Sequence, residues 1–244
     1  ALESGPQTVN VGGQDRQFIV RVPEGYDNAN PYRLVLGMHW WGGTMDDVAY
    51  GLTVEEGAWN YYGLERLAEE TTIFVAPNGI DGNWYNEGGS DYAFIDEVNR
   101  VVEESLCIDT DLRFTIGFSW GGSMSVALAC RGGDFPVRAT TAIAAAGPFE
   151  CKLIIRNPIQ YQSPCTNTWT GTPGTEALGY LGIHGIDDNP DNGRSMRDVF
   201  IANNECTGEE TPQVLPGSPH VRTDYQCTGP PVSWVTFVSF PNFK

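Results

Sequence analysis

The side chains that could do chemistry centre on Gly117-Phe118-Ser119-Trp120-Gly121. An apolar run, residues 112–116, precedes them and reads as a buried strand. Residues 122–130 follow and read as a helix packed by small side chains. A serine between two glycines at a strand-to-helix turn is the context of a nucleophile elbow. The turn is sharp, and side chains at 117 and 121 would collide with neighbouring backbone. It raises a hydroxyl at the mouth of a sheet, above a helix N-terminus that favours developing negative charge. Ser119 is the expected nucleophile.

A serine hydroxyl is a poor nucleophile alone. It needs a histidine base, a carboxylate to hold that base's tautomer, and donors for the oxyanion. Sheets with this elbow present the three side chains in the order serine, acid, histidine. The acid is expected at Asp188 in Ile183-His184-Gly185-Ile186-Asp187-Asp188, with Asp187 as the alternative and Asp191 a third choice. The expected oxyanion donors are the backbone N–H groups of Trp120 and Trp41. Trp41 lies in the loop His39-Trp40-Trp41-Gly42-Gly43-Thr44. His39 reads as a brace for that loop. His220 is the only histidine after the acid, so the role of base falls to it. Aromatic residues Trp40, Trp41, Trp84, Tyr85, Tyr92 and Trp120 offer flat apolar area with a few polar handles. Of these, Trp40, Trp84 and Tyr92 are the expected substrate-binding residues.

These residues need a scaffold. Residues 33–39 and 72–77 are apolar on both faces, as parallel sheets require, and residues 17–23 alternate like an edge strand. Further strands are expected at 139–146, 179–184 and 232–238. Helical spacing marks 62–70, 91–106 and 194–203, the last with Asn192 as a possible cap. Strands and helices alternate, which predicts an α/β fold: a mostly parallel sheet with helices on both faces. At 244 residues the chain fits one domain, residues 1–244. Residues 147–178 and 204–231 are rich in Pro, Gly and Thr and read as surface excursions.

The formal net charge is −17, and the only lysines are Lys152 and Lys244. Such a surface repels nucleic acid and anionic membranes, so neither is expected as a partner. No apolar stretch approaches the length of a membrane span. The six cysteines, Cys107, Cys130, Cys151, Cys165, Cys206 and Cys227, show no metal-ligand spacing. They read as disulfides of a secreted protein. The pairing 107–130, 151–165 and 206–227 is the simplest of the 15 possible. The chain opens at Ala1 without an apolar leader, as a mature secreted product would.

The ordered set His39-Trp40-Trp41-Gly42-Gly43, Ala76-Pro77-Asn78-Gly79, Gly82-Asn83-Trp84, Asp91-Tyr92-Ala93-Phe94, Gly117 to Gly122 and Ile183 to Asp188 resembles the secreted feruloyl esterases of carbohydrate esterase family 1 and their polyhydroxybutyrate-depolymerase-like relatives. Gly193 to Asp198 fits as well, and Trp40 stands where glycine is usual in His-Gly-Gly loops. The resemblance covers nearly the whole chain. It implies an α/β-hydrolase fold, no cofactor, and hydrolysis of feruloyl esters on plant cell-wall polysaccharide. Acetylxylan esterase and polyester depolymerase are the neighbouring readings, and a non-catalytic carbohydrate- or phenol-binding homologue is the rival from another class. The family's histidine lies after the final strand. Here that strand is followed by Ser239-Phe240-Pro241-Asn242-Phe243-Lys244, without histidine. Either His220 serves by an unusual route, or the base is not among these residues.

Overall fold

The computed structural model describes residues 2–52, 59–131, 135–146, 178–185, 188, 190–207, 211–214 and 220–237. The expected excursion at 147–178, all but its last residue, lies outside the described residues together with its Cys151 and Cys165, and so does Asp187.

The chain opens with a hairpin, β1 (Gly5–Val11) and β2 (Gln14–Arg21). Gly12 and Gly13 make its two-residue turn at φ +60° and +89°, backbone that glycine adopts without a Cβ penalty. β2 is therefore not an edge: β1 covers it on one side and β4 (Thr72–Pro77) on the other. β3 (Tyr32–Met38) and β4 are buried along almost their whole length. Between them lies the short helix α1 (Met45–Tyr50). It starts at a reciprocal cap: Thr44 Oγ1 accepts from Asp47 N–H, and the Asp47 carboxylate accepts from Thr44 N–H.

The helix expected over 62–70 is not formed. Two single 3₁₀ turns, Asn60–Gly63 and Glu65–Leu67, stand there instead. Tyr61 and Tyr62 hold φ of 48° and 58°, Gly63 φ of 86°, and Glu69 and Glu70 again turn left-handed. Such torsions break an α-helical ladder at both ends.

α2 (Ser90–Ser105) buries Phe94, Ile95, Val98 and Val102, the face its spacing predicts. It leads into β5 (Ile108–Phe118), the elbow at Ser119 and α3 (Trp120–Cys130). β6 (Ala139–Ile143), β7 (Gly179–Gly185) and α4 (Pro190–Asn203) follow, with Met196 and Phe200 of α4 facing in. Pro190 opens α4, where its missing N–H has no helical partner to lose.

The ten strands form one sheet in the order β1-β2-β4-β3-β5-β6-β7-β10-β9-β8. β10 (Val232–Phe237) lies parallel to β7. The excursion expected at 204–231 carries an antiparallel pair, β8 (Thr211–Val214) and β9 (His220–Tyr225), that extends the sheet beyond β10. The Cys206–Cys227 disulfide closes this segment, as expected. Cys107 and Cys130 are each disulfide-bonded as well.

α2 and α3 cover one face of the sheet, with Phe18, Leu34, Leu36 and Met38 packed beneath them. α4 covers the same face farther along, over Tyr180 and Val232. α1 and Tyr61 cover the opposite face, over Val35, Phe74 and Ile116. Helices therefore flank both faces of a mostly parallel sheet. Among the described residues, no helix is long and apolar enough to cross a membrane.

Candidate active site

Ser119 sits at the C-terminal end of β5 with φ 53° and ψ −119°, a strained conformation for a residue with a Cβ. Its N–H donates to Ile143 O at 2.8 Å, which locks the turn to the next strand. The flanking glycines are steric requirements. A Cβ at Gly117 would stand 2.3 Å from the Gly121 carbonyl carbon, and one at Gly121 2.2 Å from Met38 O. Gly122 would meet the Ala145 Cβ at 2.8 Å. Small residues thus let α3 start almost on top of β3 and β5, and the Ser119 side chain remains partly open to solvent. Its hydroxyl has no hydrogen-bond partner among the described residues.

The loop after β3 carries Trp41, the second expected oxyanion donor. His39 is fully buried. Its Nε2 accepts from Gly79 N–H at 2.8 Å, so the ring proton resides on Nδ1, which donates to Trp40 O at 2.9 Å. Burial pushes its pKa below the ordinary value, against the opposing pull of the Trp40 carbonyl and of Asp47 and Asp91. Gly42 N–H donates to Gly82 O and Gly43 N–H to Trp40 O. The Trp41 amide has no partner among the described residues. It belongs to the same planar peptide as the Trp40 carbonyl, and in a trans peptide the N–H points opposite to the C=O. With the carbonyl aimed inward at His39, the N–H is aimed outward. Trp120 N–H, at the start of α3, has no partner among the described residues either.

Asp188 lies three residues past the end of β7, at the same end of the sheet as Ser119, and is exposed. Its carboxylate is 3.3 Å from His184 Nε2. His184 is buried, with its ring stacked on Trp234 at 5.9 Å between centroids.

His220 starts β9. It pairs across from Phe237, which pairs with Gly185. That register places His220 at the same end of the sheet as Ser119 but on a distant strand. Four inter-strand spacings separate β9 from β5, roughly 19 Å at ~4.8 Å each. An imidazole cannot bridge that distance, so the structure does not bring His220 to Ser119. All three histidines are described, and none hydrogen-bonds the Ser119 hydroxyl.

The aromatic residues divide into two groups. Trp84, expected in the pocket, is 4% exposed and belongs to the core. Its indole N–H donates to His39 O at 2.9 Å, and its ring lies 4.7 Å from the His39 ring. It serves as scaffold. Tyr92 packs on the main core, with the Arg131 guanidinium 4.7 Å over its ring, so a substrate cannot use that face. Trp41 and Tyr85, by contrast, are 60% and 56% exposed. They meet each other and the Trp120 ring edge-on, at centroid distances of 5.5 to 6.5 Å. Trp40 is half-buried and meets Phe118 edge-on at 6.1 Å. Phe118 was not anticipated as a site residue. Its position inside G-x-S-x-G, where the serine's neighbour must also emerge from the sheet, was the available signal.

No family model matches the chain. It is 39% identical over 240 residues to a probable feruloyl esterase C of Aspergillus terreus, an alignment covering 97% of this chain and 78% of the relative. It is 38% identical, with the same coverage, to feruloyl esterase C of Emericella nidulans. Among solved structures, the acetyl xylan esterase from Aspergillus awamori superposes with a TM-score of 0.64 at 15% identity, covering 97% of this chain and 93% of that one. The architecture is that of the α/β-hydrolases.

Proposed function

This chain belongs to the feruloyl esterase family, and from that membership and the geometry around Ser119 we propose that it releases hydroxycinnamic acids from plant cell-wall polysaccharide through a seryl acyl-enzyme. It is a carboxylic-ester hydrolase. Ser119 Oγ attacks the ester carbonyl. The carbonyl oxygen gains charge between the Trp41 and Trp120 amides, near the positive end of α3. The alcohol departs with its sugar, and water then attacks the acyl-enzyme and frees the acid. Asp188 supplies the carboxylate at this edge of the sheet. The proton that Ser119 gives up ends on the departing alcohol, and the attacking water returns one to Ser119 Oγ; with His39, His184 and His220 all placed elsewhere, solvent water relays both transfers in this reading. Residues 238–244, into which β10 leads, lie outside the described residues.

The observation that carries the acyl preference is the exposed ring cluster of Trp41, Tyr85 and Trp120 beside both oxyanion amides. A ring-bearing acyl group finds flat apolar partners there, and an acetyl group uses none of them. The likeness to an acetyl xylan esterase keeps acetylated xylan as the second reading. The single continuous sheet supports one catalytic domain across residues 1–244, and the disulfides support an extracellular site of action.

Hydrolysis of methyl ferulate and p-nitrophenyl acetate by the native protein and by Trp41→Ala tests the proposal. The variant keeps its backbone amide. Its KM for the ferulate should rise by about 1 to 2 kcal/mol equivalent, with the acetate little changed. Equal effects on both esters would favour the acetylxylan reading.

A further inference from the structure

We propose that Trp84 and His39 are positioning residues that together fix the separation of the two oxyanion amides. The inference rests on the reading of Ser119 as nucleophile. Three hydrogen bonds run in series between the two halves of the oxyanion site, and a fourth braces the His39 ring from the side. The Trp120 indole N–H donates to Trp84 O at 3.0 Å. The Trp84 indole N–H donates to His39 O at 2.9 Å. The His39 Nδ1–H donates to Trp40 O at 2.9 Å, and His39 Nε2 accepts from Gly79 N–H at 2.8 Å. One end is the residue whose backbone amide follows the nucleophile. The other end is the peptide that carries the Trp41 N–H.

The strands alone do not set this relationship. β3 and β5 are register-paired only up to Met38 opposite Gly117, and both amides lie beyond that pair. The relay replaces the missing ladder. Its middle member is buried and rigid, with Trp84 at 4% and His39 at 0% exposure. The segment 79–84 is held against the oxyanion loop by close backbone approach. A Cβ at Gly82 would stand 3.1 Å from Gly42 Cα, and one at Gly79 3.1 Å from His39 Nε2. An oxyanion donor acts only within a few tenths of an ångström of its target, so a loose loop would lose charge stabilisation and leave substrate binding intact.

Trp84→Phe is the sharpest test, because it retains the ring and deletes the N–H. The kcat for both methyl ferulate and p-nitrophenyl acetate should fall about 10- to 100-fold, with KM within about twofold. In ¹⁵N–¹H spectra the Trp41 and Gly79 amide resonances should shift, and those of the β1–β2 hairpin should not. Trp120→Phe cuts the first link from a half-exposed position and should shift the Trp41 amide in the same way if Trp84→Phe fails to fold. An unmoved Trp41 amide, or an unchanged kcat with that amide displaced, would overturn the proposal. So would a KM effect confined to the ferulate, which would make Trp84 a substrate contact. If the native protein neither turns over esters nor reacts with a fluorophosphonate, the esterase reading has failed. The amide shifts alone then decide the positioning claim.

Discussion

The Asp188 carboxylate stands 3.3 Å from Nε2 of His184, a histidine buried to 3% exposure on the same strand-loop unit. The contact is within ion-pair reach, yet His184 Nε2 lacks a properly aligned hydrogen bond among the described residues. The Asp188 carboxylate thus touches the sheet on one side while it remains 58% exposed on the other. A carboxylate placed this way can orient a second imidazole.

Asp188→Asn should accordingly reduce turnover by about 10⁴-fold, the scale seen when a triad acid loses its charge. Its exposure predicts a melting temperature within a degree or two of native. Steady-state kinetics and thermal melts on one preparation check both halves. An active variant would move the role of acid to Asp187 or Asp191.

His220→Ala should leave ester hydrolysis within about twofold of native, because the sheet register holds His220 four strands from Ser119. A loss on the scale of a catalytic base, on the order of 10⁶-fold, would show that β9 rearranges in solution.

The His39 ring couples structure to acidity. Its native pKa is lowered by burial from an ordinary 6.5. The unfolded chain therefore binds this proton more readily than the native one. The stabilisation is complete above about pH 6.5 and is lost as pH falls through the lowered native value. Protonation at Nε2 would also break the bond from Gly79. Melting temperatures across pH 4 to 8, native minus His39→Gln, should show a difference that shrinks toward acid. A difference independent of pH would contradict the assigned neutral tautomer.

Replacing Cys206 and Cys227 together by serine should cost about 3 kcal/mol, the usual effect for a cross-link that closes a loop of this length. Denaturant titration measures it. The loss should appear without change in kcat, since the bridge lies beyond β10, at the edge of the sheet away from β5.

The elbow was legible because its glycines answer to backbone sterics, which the spacing of a motif records directly. The Cys206–Cys227 pairing and the inward face of α2 were legible for similar reasons: both depend on local chain geometry. Trp84 was misread because an aromatic residue in a loop has the same sequence appearance whether it lines a pocket or braces one. Only its 4% exposure and its bond to His39 O separate the two. The helix expected at 62–70 failed because Leu64, Leu67 and Ala68 satisfy helical spacing while Gly63 and the left-handed tyrosines do not allow the ladder to start. The β8–β9 pair was hidden because its strands are four and six residues long and lie within a Pro- and Gly-rich stretch. His220 could be ranked by chain order but not by strand neighbours, which belong to topology.

The backbone of Ser119, at φ 53° and ψ −119°, has a consequence for the chain's future under selection. Glycine would occupy that turn with less strain, so serine there costs stability that glycine would not. A library screened for thermal resistance alone should drift toward glycine at 119 and lose hydrolysis as it does. Only selection on turnover keeps the serine in place, and any stabilising programme for this enzyme has to look for its gains elsewhere in the chain.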